Sequence, residues 1–241
     1  MDLVWYEVAI ALAAIAAGSL IQGSVGFGLS LVAAPVIGLI EPQALPATLL
    51  LVALPLTAWM AHREWGDIDV RGFLEISLGR LPGTAGAVWV LSRIAPEDLS
   101  IVIGAVVVVA AALSAIAPDF DLRTRWRLAA GVASGLMGTM AAIGGPPLAL
   151  AYQHHPGPRL RSTLAVSFVL GSLISLLALG VTGSVHRSHF VLALEVLPGL
   201  VIGLYLAHRL KEVLDRRWLR PTVLTFALLS GLAAIGKGLF G

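Results

Sequence analysis

The sequence predicts an all-α polytopic membrane protein made of two inverted repeats, each a glycine-broken helical hairpin plus three transmembrane helices. Three observations predict it: an apolar composition, a one-sided distribution of Lys and Arg, and a glycine-proline pattern that recurs in the second half. Hydrophobic residues fill 58% of the 241 positions and charged residues 12%, with a mean hydropathy of +0.91. The charged share is about half that of soluble domains. A soluble chain of this length exposes too much surface to hide so much apolar side chain. The net charge is +2, but the basic residues fall between apolar stretches, so they read as topology signals rather than nucleic-acid contacts. The absence of cysteine excludes disulfides and thiolate metal sites. The N-terminal Met1-Asp2-Leu3-Val4-Trp5-Tyr6-Glu7 lacks the basic start of a signal peptide, so the first apolar stretch is expected to be retained.

A bilayer core of about 30 Å takes ~20 apolar residues per helix. Six stretches qualify: Ala44–Ala61, Phe73–Ser92, Leu99–Ala117, Leu160–Gly183, Phe190–Ala207 and Leu219–Gly236. Two others do not fit this rule, the first being too long for one span and barely long enough for two. Glu7 to Ile40 is interrupted by Gln22-Gly23-Ser24-Val25-Gly26-Phe27-Gly28. Trp126 to Gln153 is interrupted by the run from Gly135 to Pro147. If each is a single broken span, the two sides carry seven and eight Lys/Arg, which is no bias. If each is a hairpin, one side carries the twelve residues Arg63, Arg71, Arg123, Arg125, Arg127, Arg159, Arg161, Arg209, Lys211, Arg216, Arg217 and Arg220, and the other the three residues Arg93, Arg187 and Lys237. That asymmetry favours hairpins with the basic loops inside and both termini outside. Re-entrant hairpins and pairs of short full spans give the same count.

The halves, 1–120 and 121–241, also resemble each other in opposite orientation. A shift of 112 places Gly23 on Gly135, Gly26 on Gly138 and Pro35 on Pro147; a shift of 116 places Leu81-Pro82-Gly83 on Leu197-Pro198-Gly199. Each half crosses the membrane an odd number of times, so the second is inverted. Such halves can exchange conformations of similar energy, as secondary transporters require.

Backbone opened at a glycine break within a membrane must be buried or line an aqueous cavity. Helix N-termini there offer N–H donors to an oxyanion. The expected ligand-contacting residues are Gln22, Gly23, Ser24, Gly26, Phe27 and Gly28 at one break and Gly138, Thr139, Met140, Gly144 and Gly145 at the other. The competing explanation is that these glycines only permit close helix packing. Arg80 lies within an apolar stretch at a cost of up to ~3 kcal/mol, which calls for a partner or a cavity. It is an anion attractor, or it snorkels to the near interface. Glu195, just before the second Leu-Pro-Gly, is a candidate for carrying a coupling proton, or it is solvated near the interface. His154-His155 is not a metal pair: adjacent helical residues point ~100° apart. Trp5, Tyr6, Trp59, Trp65, Trp126, Tyr152, Tyr205 and Trp218 cluster near span ends, as an aromatic belt does.

The run Gly23-Ser24-Val25-Gly26-Phe27-Gly28 through Leu31-Val32-Ala33-Ala34-Pro35, its counterpart from Gly135 to Pro147, and the two Leu-Pro-Gly spans resemble the TauE/SafE family of sulfite exporters over nearly the whole chain. The second motif has Thr139-Met140-Ala141-Ala142 where more glycines are usual, and a doubled Pro146-Pro147. The resemblance implies duplicated halves in a bacterial inner membrane and transport of small sulfur-containing anions such as sulfite, sulfoacetate and related organosulfonates, driven by an ion gradient. The expectation is therefore a secondary transporter with a small anionic substrate, lipid as its solvent, H+ or Na+ as coupling ion, no cofactor and no nucleic acid; a homodimer is one option for its assembly. No nucleotide-binding motif is present. The rivals are a carboxylate transporter, an intramembrane enzyme using Ser24, Thr139 or Glu195, and a membrane anchoring protein.

Overall fold

The computed structural model describes residues 3–116, 124–155, 157–210 and 216–240, so the boundary between halves, Arg123 and Lys211 lie outside the described residues, as do the side chains of Arg216, Arg217, Trp218 and Arg220. Among the described residues the chain forms ten α-helices: α1 (Trp5–Val25), α2 (Leu29–Ile40), α3 (Ala47–Arg63), α4 (Val70–Leu91), α5 (Leu99–Ile116), α6 (Thr124–Ala141), α7 (Gly145–Ala151), α8 (Gly157–Val181), α9 (Arg187–Leu210) and α10 (Arg216–Phe240). Among the same residues, five segments are long and apolar enough to cross a membrane, within α1, α5, α8, α9 and α10. The sequence had suggested spans over α3 and α4 as well. At 17 residues α3 is short, and Glu75 and Arg80 lower the hydropathy of α4. Large side chains such as Leu177, Leu194 and Leu229 point outward, while Ile15, Leu49, Leu56 and Met60 are buried. An apolar exterior is what a lipid solvent permits.

Both glycine clusters reverse the chain. After α1 the backbone passes through Gly26 (φ 104) and Gly28 (φ 129), left-handed values that favour glycine. Leu29 then returns to lie against Gly18, and its N–H donates to Gln22 Oε1 at 3.0 Å. After α6, Ala142 adopts φ 59, a costlier solution for a residue with a side chain. Gly144 returns to Ser134. At 12 and 7 residues, α2 and α7 extend only ~18 and ~10 Å and cannot cross a bilayer core.

Small residues set how the helices pack. Gly79 and Gly83 of α4 face the backbone carbonyls of Leu128 and Val132 of α6, while Gly131 and Gly135 face those of Ile76 and Arg80, so α4 and α6 run parallel at very close range. Gly199 and Gly203 of α9 face the carbonyls of Leu12 and Ala16 in the same parallel sense. Ala and Gly at such contacts let backbones approach. Antiparallel pairs complete the bundle. Gly104 meets Gly231 and Ile235, and Ile101 meets Gly238, between α5 and α10; Arg161 at the start of α8 bonds Glu64 beyond the end of α3 at 3.0 Å.

The returning arms are pinned at their far ends. Tyr152, just after α7, donates its hydroxyl to Asp69 Oδ2 at 3.0 Å. Asp69 caps α4 through Gly72 N–H, and its own N–H donates to Thr163 of α8. Gln43, just after α2, bonds through its carbonyl to Nε2 of His189 at 2.9 Å, while His189 Nδ1 accepts from His186 N–H. That acceptance leaves Nε2 as the protonated donor.

Two outcomes follow from this packing. Gly83→Ala places a methyl on the Val132 carbonyl oxygen; neither backbone can yield cheaply, so a loss of about 1–3 kcal/mol is expected as a drop in detergent melting temperature. Gly86→Ala meets only Leu136 Cδ1 at 3.8 Å and should stay within about 0.5 kcal/mol. Burial raises the Asp69 pKa, but the Gly72 and Tyr152 hydrogen bonds and the Arg127 and Arg159 charges outweigh it and hold the carboxyl below its ordinary 3.8. A depressed carboxyl stabilises above its unfolded pKa and loses that contribution as pH falls through its folded value. Asp69→Asn should therefore melt earlier than wild type at pH 7, with the gap closing below about pH 4.

Candidate functional site

Arg80 is the eleventh of the 22 residues of α4, and only 3% of its surface is exposed. It does not snorkel. Its side chain stays inside because glycines clear a space for the guanidinium. A Cβ at Gly138 would stand 2.7 Å from Nη2, one at Gly144 would stand 3.3 Å from Nη1, and one at Gly171 would overlap the group itself. The cation is thus held between α4, the α6–α7 turn and α8.

Nη1 donates to Ser134 Oγ at 2.9 Å, and Ser134 in turn donates to the Gly144 carbonyl at 2.8 Å. The serine therefore ties the cation to the second chain reversal. Nε has no hydrogen-bond partner. With Nη1 occupied, Nε and Nη2 remain as the side-on fork that matches two oxygens of one anion. The carboxylates of Glu64, Asp69 and Glu75 pair instead with Arg63, Arg161, Arg159, Arg71 and Arg127; among the described residues none pairs with Arg80. A guanidinium does not neutralise itself by losing its proton. A buried cation without a counter-charge is expensive.

A cavity of about 40 Å³ lies beside this group, between the two chain reversals. That is room for roughly three water-sized centres. Gln22, Phe27 and Gly28 line it from the first reversal and Gly138, Gly144 and Gly145 from the second, with Arg80 between them. Phe27 packs directly on Gly145, where a Cβ would stand 3.0 Å from that of the ring.

Other residues of the expected set sit elsewhere. Gly23 packs on Leu204 and Ala207 of α9, and Gly26 on the Arg161 side chain. Ser24 Oγ donates to the Leu20 carbonyl. Thr139 Oγ1 meets Ser175 at 2.8 Å and Thr84 at 3.2 Å in a buried hydroxyl cluster, and Met140 is buried outside the cavity lining. Glu195 is exposed. In the repeat register Glu195 matches Gly79, and the match for Arg80 is Val196, which is buried. One residue is ~100° on a helix, so Glu195 faces away. The amide donors are also fewer than two helix starts suggest: Gln22 occupies the Leu29 N–H, and Pro146 and Pro147 have none.

Sequence reasoning missed Ser134, Gly171, Ser172, Thr57 and Phe168. The last three line the cavity. The available signal was Gly171-Ser172, a small polar pair inside an otherwise apolar span, and Ser134 adjoining the glycine cluster. His155 lies beside Tyr152, and burial followed by the charge of Arg159 lowers its pKa, favouring the neutral form. Among the described residues no group of His, Asp and Glu is placed to hold a metal.

The sequence matches the family described as "Sulfite exporter TauE/SafE" over residues 10–234. It is also similar to a protein of Cupriavidus necator described as a probable sulfite/organosulfonate exporter TauE, with 27% identity over 234 residues, covering 92% of this chain and 90% of that one. No solved structure matches it. The family match takes in both chain reversals, α4 with Arg80, and all the helices around them, and the chain belongs to the TauE/SafE sulfite exporter family.

Proposed function

We propose that this protein is a secondary transporter of a small sulfur-containing anion such as sulfite, sulfoacetate or a related organosulfonate, held at Arg80 between two re-entrant tips. The observation that carries this reading is a buried guanidinium on a small cavity, with its Nε unpartnered and no counter-charge among the described residues. An anion there supplies the missing counter-charge and two acceptors together. Family membership and the relative's description favour a sulfur oxyanion. A carboxylate offers the same pair of oxygens and is the alternative ligand.

Alternating access follows from the architecture we propose, two inverted repeats of five helices each. Its support is the pattern of partners. α1 of the first half lies along α9 of the second, α6 along α4 in the matching way, and α5 on its counterpart α10. Each half thus embraces the broken element of the other, so a relative shift of the halves moves both tips past Arg80. Work comes from an ion gradient, with H+ or Na+ as the coupling ion. The setting is a bacterial inner membrane, with the Arg-rich loops on the cytoplasmic side.

Flux of sulfite and sulfoacetate into proteoliposomes tests the reading. Arg80→Ala should reduce transport by roughly 30-fold or more, the scale of removing one partner of a buried charge-assisted contact. Arg80→Lys keeps the charge but loses the fork, so it should fall between. Ser134→Ala leaves the guanidinium unoriented and should cost roughly threefold to tenfold in apparent affinity. Undiminished transport by Arg80→Ala would remove Arg80 from the site, and flux of carboxylates alone would replace the sulfur assignment.

A further inference from the structure

A second cavity, of about 240 Å³, adjoins the Arg80 cavity, with Phe27, Gly28, Leu31 and Pro146 bordering both. Its remaining wall comes from α1, α7, α8 and α10, through side chains such as Ile21, Val25, Leu150, Leu160 and Leu224. Among the described residues, only Ser114 and Gln153 contribute polar side chains and no charged side chain lines it. The two cavities therefore differ in kind. One is small and cationic. The other is roomy and apolar, larger than an engineered apolar cavity of about 150 Å³ that holds benzene.

We infer that the larger cavity is a tail subsite, and that the anion best suited to this protein carries an apolar tail of about four to six carbons or one phenyl ring. The inference rests on the reading of Arg80 as the anion site. The Arg80 cavity holds a head group and little more, so whatever is attached to the head must extend past Phe27 into the apolar chamber. Burying a methylene there is favourable, and an apolar pocket rewards each one until it is full. A second charge on the tail meets no charged partner among the described lining residues and must be desolvated at a cost. Alkanesulfonates and benzenesulfonate thus fit better than taurine, with its ammonium, or sulfoacetate, with its carboxylate. Phe27 stands where head and tail meet and limits the thickness of the link between them.

The test is a binding series on the full chain in lipid nanodiscs: sulfite, then methane-, ethane-, butane-, hexane- and benzenesulfonate, then taurine and sulfoacetate, with 1-hexanol as the uncharged control. Affinity should rise about threefold to fourfold per methylene up to butane- or hexanesulfonate and then level off. Taurine and sulfoacetate should bind more weakly than ethanesulfonate. Leu224→Gln should lower the ratio of hexanesulfonate to methanesulfonate affinity. Binding of sulfite and methanesulfonate with no dependence on chain length would overturn the tail subsite and leave the anion site standing. Equal binding of 1-hexanol and hexanesulfonate, unaffected by Arg80→Gln, would make the chamber a lipid-chain pocket and also overturn it. If no anion binds at all, the reading of Arg80 fails first.

Discussion

A guanidinium with no counter-charge among the described residues, buried inside an apolar bundle, is the constraint on which this structure turns. Such a group costs several kcal/mol unless its donors are met. Here one donor is met by Ser134 and the rest of the group is fitted between glycines. On α6 the glycine beside the cation, Gly138, follows Gly131 and Gly135, which bring that helix close to α4, so space for the cation and tightness of the bundle lie along one helix. Filling the space with side chains would expel Arg80. Removing Arg80 would leave a hole bordered by backbone.

The close backbone contacts explain why the arrangement holds together. In lipid, apolar side chains gain little by meeting each other, and helix association relies on van der Waals fit. The α4–α6 and α1–α9 pairs obtain that fit from glycines whose Cα atoms face carbonyl oxygens. The short arms α2 and α7 lie between these pairs and the α5–α10 pair, and polar bonds at Tyr152 and Gln43 fix their far ends. The anchors match in position and differ in chemistry: an ionised carboxylate holds one arm and a neutral imidazole the other. Under the proposed repeat the halves differ in side chains, most plainly where Arg80 falls on Val196 in the sequence register.

The all-helical membrane class was legible because composition leaves no other solvent for so many apolar residues. Glycine clusters marked where the chain turns, since left-handed backbone and the return of Leu29 to Gly18 need residues without side chains. What periodicity could not supply was direction around each helix. Thr139 and Gly138 are neighbours in sequence, yet one faces Thr84 and Ser175 and the other faces Arg80. Gly171 and Ser172 lie far from either cluster in sequence and reach the cavity only through the packing of α8 against α4. The depth of Arg80 was left open for a related reason. Counted from Phe73 it stands near an interface, whereas the helix begins at Val70 and Arg80 sits at its middle.

The donor count at the cavity bears on how a transporter of this kind works. Two helix starts meeting at one ligand would offer several aligned N–H groups and hold an oxyanion tightly. This chain withdraws part of them: Gln22 caps Leu29, and Pro146 and Pro147 in the first turn of α7 have no N–H groups. The charged donor at the cavity is the guanidinium of Arg80. Under the proposed function that is an advantage, because a carrier gains nothing from a ligand it cannot release, and a site must bind well enough to load yet weakly enough to empty. On that reading the guanidinium recognises the anion's charge and shape, and its aim depends on Ser134, which accepts from Nη1 and donates to the Gly144 carbonyl of the second tip. A shift of that tip would then loosen the guanidinium and link release of the anion to the same serine.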